Sequence, residues 1–159
     1  MIAYQKQFER VKRFFARIQN QNRSQIEYED DIWSFFIHAW SLKDWLKNFI
    51  KQNSQNYELM NMVEKYDNLK ICHDIATFEK HYELGNKKRL DGSMRPGYKT
   101  AKYSGKDVEL TLGQGNPKFK YKYKIKDEDE NEYFVSDLAK NVINDWQTVI
   151  RDFEKIYKK

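Results

Sequence analysis

Cysteine, proline and glycine are all scarce in this chain of 159 residues: one Cys, two Pro and six Gly. Cys72 alone cannot close an internal disulfide, which points to a reducing, cytoplasmic setting. So few turn formers beside 16% aromatic residues exclude a low-complexity or wholly disordered chain. No apolar run approaches the roughly 18 residues that span a bilayer. Residues 1–10, which include Lys6, Glu9 and Arg10, lack the apolar core of a secretory signal. Only three histidines are present, with no H-E-x-x-H and no paired cysteines, so a zinc-type site is not expected. Nor is there a cofactor motif. The expectation is a soluble chain with no metal, no cofactor and no membrane partner.

What is present is helix-forming periodicity and charge. Tyr4, Phe8, Val11, Phe15 and Ile18 recur at spacings of four and three, one face of a helix whose other face carries Arg10, Lys12, Arg13 and Arg17. After a polar break, Ser24 is placed to cap a second helix over about 25–50, with the acids from Glu27 to Asp31 favouring its first turns. That helix is apolar nearly all round (Ile32, Trp33, Phe35, Phe36, Ile37, Ala39, Trp40, Leu42, Trp45, Leu46, Phe49, Ile50). Such a helix is either central in its fold or shared with a second subunit. A short amphipathic piece (Tyr57, Leu59, Met60, Val63) precedes a third helix, about 67–84, with Ile71, Ile75, Phe78 and Tyr82 as its expected core stripe.

The pattern changes at Gly85. Residues 85–97 read as a basic loop, and Val108, Leu110 and Leu112 alternate with Glu109 and Thr111. Residues 118–126 alternate lysine with Phe119, Tyr121, Tyr123 and Ile125 without a fault, a strand signal, and Gly113–Pro117 supplies the turn between the two. A returning strand near 132–135 leads to a last helix capped by Ser136 and carrying Leu138, Val142, Trp146, Val149, Phe153 and Ile156 or Tyr157. The expected fold is α+β and a single domain, 1–159. It is a mostly helical up-and-down four-helix bundle (3–84 and 136–158) with an antiparallel β-meander, about 97–135, inserted between helices three and four.

The net charge of +5 is unevenly spread. Residues 1–26 carry six basic side chains against one acidic; residues 85–126 carry twelve against three. The second stretch could draw polyanions by its field. Lys87, Lys88, Arg89, Lys118, Lys120, Lys122 and Lys124 are its candidate nucleic-acid contacts. Strict alternation sends the aromatics of 118–126 to the face opposite the lysines, however, so they do not form stacking platforms beside them. A solvated face, neutralised across strands by Asp107, Glu109 and the 127–132 acids, is the preferred reading.

Candidate chemistry gathers on the third helix. At 100° per residue His73, Thr77 and Lys80 share an arc of about 60°, as do Asp74, Thr77 and His81. His81 is the candidate general base, with Lys80 and Asp74 beside it. Asp74 and His81 are about 10.5 Å apart along the axis, too far for a direct bond. Asp44, on the apolar second helix, must be exposed or paired with a group such as Lys80 or His81. A structural polar network of Asp44, His73 and Thr77 between the second and third helices is preferred over catalysis. His38 reads as a core or interface histidine, and Cys72 as a small buried hydrophobe.

Two segments carry a resemblance. Trp40-Ser41-Leu42-Lys43-Asp44-Trp45-Leu46-Lys47 and Asp74-Ile75-Ala76-Thr77-Phe78-Glu79-Lys80-His81 resemble the W-x-L-x-D-W and D-[IL]-A-N-x-x-K-H helices of small uncharacterised bacterial proteins, with Thr77 where that pattern has Asn. The likeness covers about residues 28–84. That group in turn is similar to the HEPN class of helical bundles, many of them ribonuclease toxins or defence factors acting through an R-x(4–6)-H motif. This sequence has no such motif, which leaves His81 as the residue the resemblance would offer for catalysis. The expectation is a non-catalytic binding module that oligomerises through its second helix. The alternative is an RNA-binding protein or atypical, metal-independent ribonuclease.

Overall fold

Helix α1 (Ala3–Gln19) forms where the three-and-four spacing begins, and it buries Tyr4, Phe8, Val11 and Ile18 of the expected stripe together with Gln7, while Phe15 is only partly buried. The computed structural model describes residues 1–20, 24–53, 58–81, 109–111, 118–120, 123–126 and 131–157. Helix α2 (Gln25–Gln52) opens on the expected cap. The Ser24 Oγ accepts from Glu27 N at 3.3 Å, and the Ser24 N–H donates back to the Glu27 carboxylate at 3.1 Å. This reciprocal pair satisfies two backbone donors that the helix start would otherwise leave bare, and is worth about 1 kcal/mol.

The apolar circumference of α2 is used inside the chain. Ile32, Phe35, Phe36, Ala39, Trp40, Leu42, Leu46 and Ile50 are buried, because α2 packs against α1, α3 (Leu59–Val63), α4 (Asp67–His81) and α5 (Val135–Tyr157). Within its own chain the helix is therefore central. Burying each phenylalanine contributes about 1.5–3 kcal/mol.

On α4 the buried stripe is Leu69, Cys72, Ile75 and Ala76, with Asp74 also buried and Ile71 only partly covered. This corrects the expected stripe at Ile71. The helix is covered by both α2 and α5, so its inward face is wider than, and rotated from, a single row. The Phe78 side chain and all of Tyr82 lie outside the described residues. In α5 the expected positions Leu138, Val142, Trp146, Val149 and Phe153 are all buried. Ile156 is exposed, and Tyr157 takes the inward place, its ring 5.9 Å from Phe153 and 5.1 Å from Phe49. The helix begins at Val135, directly after a strand, so Ser136 sits in its first turn instead of capping it.

Strands β1 (Glu109–Thr111) and β2 (Lys118–Lys120) pair antiparallel with Leu110 opposite Phe119. Likewise β3 (Lys124–Lys126) and β4 (Glu132–Phe134) pair with Ile125 opposite Tyr133. The lysine-rich segment expected as one strand thus contributes to two ladders, with Tyr121 and Lys122 outside the described residues. Alternation sets which face a residue takes; it does not set the pairing partner. Tyr123 and Ile125 are buried, Tyr123 stacking on Tyr28 of α2 at 4.3 Å. The aromatic side of this strand is therefore its inner side. Burial pushes the Tyr28 hydroxyl up to about 12.

A polar tie joins α4 to α5: Asn68 Nδ2 donates to Asp145 Oδ2 at 2.9 Å. Partial burial raises the Asp145 pKa above its ordinary 3.8; the Asn68 bond opposes the rise and Asp67 adds to it. A carboxyl with a raised folded pKa holds its proton more tightly in the folded state. Stability therefore falls as pH rises through the ordinary value toward the raised one, and is lowest above both. Asp145→Asn keeps an acceptor for Asn68 without the charge. Thermal unfolding followed by circular dichroism is expected to show a higher melting temperature than wild type at pH 7 and no difference well below pH 4.

Candidate functional site

Of the residues singled out on α4, the side chains of His73, Asp74 and Thr77 are described. The His73 ring lies flat against Trp40 of α2, centroids 4.0 Å apart and planes within 15°. Asp74 is fully buried and Thr77 half-buried. Lys80 and His81 stand in the last turn of α4, and their side chains lie outside the described residues. Asp44 is exposed and bonds Lys43 Nζ at 2.7 Å on its own helix, the exposed alternative of the two open to it. The link between α2 and α4 at this level is the Trp40–His73 ring pair. Cys72 Sγ faces Phe36 O at 3.6 Å. Burial, with Asp74 nearby, holds its thiol well above the ordinary range, so it packs as a small apolar group.

Of the basic candidates, Lys87, Lys88, Arg89 and Lys122 lie outside the described residues. Lys118 and Lys120 occupy β2 opposite Thr111 and Glu109. Lys124 is neutralised across its ladder, as the neighbouring acids suggested. Its Nζ is 3.0 Å from the Glu132 carboxylate and 4.9 Å from the Phe134 ring centroid.

A different cationic cluster is assembled by tertiary packing. Arg10, Arg13 and Arg17 follow one another at i, i+3 and i+7 on α1, beside the stripe that docks onto α2. Together with Phe14 and with His38 of α2 they line a cleft of about 360 Å³. The side chains at its wall are held in place. Phe14 stacks on His38, centroids 4.9 Å apart and planes within 13°. The Arg17 guanidinium lies 5.1 Å from the Phe14 centroid and 3.5 Å from the carboxylate of buried Asp31.

Gln7 explains its own burial here. At 1% exposure its amide satisfies every group it carries. Nε2 donates to Ser41 Oγ at 2.8 Å and to His38 O at 2.9 Å, while Oε1 accepts from Arg10 Nη1 at 3.0 Å. One buried amide thus pins α1 to α2 and fixes the Arg10 guanidinium at the rim. Arg13 is exposed and makes no hydrogen bond or ion pair among the described residues. Three guanidiniums therefore surround the cleft, and Asp31 is the one carboxylate among the described residues that contacts any of them. Guanidinium forks match phosphate and carboxylate oxygens in geometry as well as charge. The arrangement is suited to holding an anion.

A second cleft, about 400 Å³ between α2 and α3, sets Lys43 and Lys47 with Glu58 over Ile50, Leu59 and Met60, and so concentrates no single sign of charge. The sequence displayed Arg10, Arg13 and Arg17 as the outer face of the first helix. It held no sign that His38, a whole helix away along the chain, would close the other side.

Compared with known protein families, curated proteins and solved structures, the chain matches none. Among the described residues no helix is long and apolar enough to cross a membrane, and no group of three or more His, Cys, Asp or Glu side chains is placed to hold a metal ion.

Proposed function

We propose that this chain is a non-catalytic RNA-binding module, a four-helix bundle of α1, α2, α4 and α5 with a β-meander inserted before α5. The observation that supports this reading best is the cleft walled by Arg10, Arg13, Arg17 and His38. Guanidiniums stay charged at every physiological pH and do not shuttle protons, so they supply binding in preference to bond cleavage. A surplus of nine positive charges over residues 85–126 favours a long polyanion over a singly phosphorylated partner. Self-association through α2 has less to draw on, since Ile26 and Trp45 are its two exposed large apolar side chains among the described residues.

The test is fluorescence anisotropy of a labelled single-stranded RNA at about 50 and 200 mM salt. Neutralising two or three phosphate charges gives a log–log slope of about −1.4 to −2, a loss of about seven- to twentyfold over that range. Salt-sensitive binding of intact probe is the expected result. Absence of binding at the lower salt overturns the reading. Cleavage of the probe would replace it with the ribonuclease alternative, with Asp74, Lys80 and His81 the first residues to change.

A further inference from the structure

We infer that the cleft between α1 and α2 takes the terminal phosphate monoester of an RNA strand, so that the protein reads strand ends; the inference rests on the RNA-binding reading. Charge is the first argument. Arg10, Arg13 and Arg17, less the Asp31 carboxylate that contacts Arg17, leave two positive charges at the cleft. An internal phosphodiester carries one negative charge and two free oxygens, whereas a monoester carries about −1.5 to −2 and three. The cleft is matched to the second.

Preorganisation is the next argument. Arg10 is pinned by Gln7, and Arg17 by Asp31 and the Phe14 ring. Arg13, between them along the same helix, makes no hydrogen bond or ion pair among the described residues. Two fixed guanidiniums beside one uncommitted guanidinium provide convergent donors whose ordering cost is largely met before the ligand arrives. Size is the last argument. A volume of about 360 Å³ is at the lower end of ligand sites, roughly 300–1,000 Å³. It suits one terminal nucleotide better than a strand passing through. The Phe14–His38 ring pair lines the cleft beside the arginines.

The experiment is competition against an internally labelled single-stranded RNA by three unlabelled strands of one sequence, carrying a 5′-phosphate, a 3′-phosphate, or hydroxyls at both ends. A phosphorylated strand is expected to compete about tenfold better or more than the hydroxyl strand, the effect of one added charge-assisted contact. Which of the two wins identifies the end that is read. Arg13→Ala, at an exposed side chain with no partner to lose, is expected to fold as wild type by circular dichroism and to erase the preference. Equal competition by all three strands overturns the inference while leaving RNA binding intact. A preference that survives in Arg13→Ala and in Arg10→Ala overturns the assignment to this cleft. Failure of the probe itself to bind overturns the RNA reading, and the end-reading with it.

Discussion

Reversing the charge of Arg10 and Arg13 together, Arg10→Glu with Arg13→Glu, is expected to weaken RNA binding at least a hundredfold at 50 mM salt while leaving the helices intact. Hydrogen bonds to charged groups contribute about 1.5–3 kcal/mol each, so losing two costs on the order of 10² or more in affinity before any repulsion is counted. Among the described residues Arg10 bonds the Gln7 side-chain Oε1 and Arg13 makes no hydrogen bond or ion pair, and neither side chain fills the core. The measurement is the anisotropy titration, repeated at several salt concentrations. The log–log slope is expected to become shallower by up to about 1.4, the share of two phosphate charges on a single strand. An unchanged slope would move the phosphate contacts away from this cleft, and the 85–126 segment would be the next place to look. Gln7→Met is the informative companion. It keeps the apolar volume but loses the amide, so Arg10 would swing free and affinity would fall without any change in net charge.

Trp146→Ala is expected to be the most damaging single truncation for stability. Its side chain is 0% exposed in the middle of α5, and removing a buried tryptophan costs about 3–5 kcal/mol through lost burial and the cavity left behind. Domains have about 5–15 kcal/mol in all. At about 2–4 °C per kcal/mol for a chain of this size, the melting temperature is expected to fall by roughly 10 °C or more. Trp146→Phe provides the contrast. The indole Nε1 is buried with no hydrogen-bond partner among the described residues, and such an unmet donor costs about 1–3 kcal/mol. Phenylalanine removes that donor while keeping most of the ring, so its loss of stability is expected to be much smaller than alanine's. A phenylalanine variant as unstable as the alanine one would mean that shape, not the stranded N–H, governs this position.

Helix positions were the most legible part of the chain. The stripe Tyr4, Phe8, Val11, Ile18 and the stripe Leu138, Val142, Trp146, Val149, Phe153 were read from spacing and are buried, because a helix with one apolar face has one way to hide it. The Ser24 cap was legible for a similar reason: its partner Glu27 is three residues away. The α4 stripe was less so. A helix covered on two sides shows no single row, and Cys72 and Ala76 went inward where Ile71 was expected. The lysine strand was legible in its faces, with Tyr123 and Ile125 inside, but not in its pairing.

The candidate site was hardly legible at all. Along the chain, polar candidates are dense on α4 and lysines are dense over 85–126. The cluster that packing assembles joins arginines from the first helix to an imidazole from the second. A search for arginine and histidine close together in sequence cannot find such a pair, since proximity here is created by the docking of Gln7 and Phe14 onto α2.

By itself, then, the sequence determined what is local: which residues face inward on singly covered helices, where α2 starts, and which side of a strand is apolar. Each follows from a repeat of 3.6 or 2 residues or from a contact three residues away. The tertiary structure alone decided how the surplus of α2 is spent, in the core of its own chain, and whether the arginines of α1 stand apart or face an imidazole. Those outcomes depend on which distant surface covers each helix. No periodicity within one helix encodes the position of its neighbour.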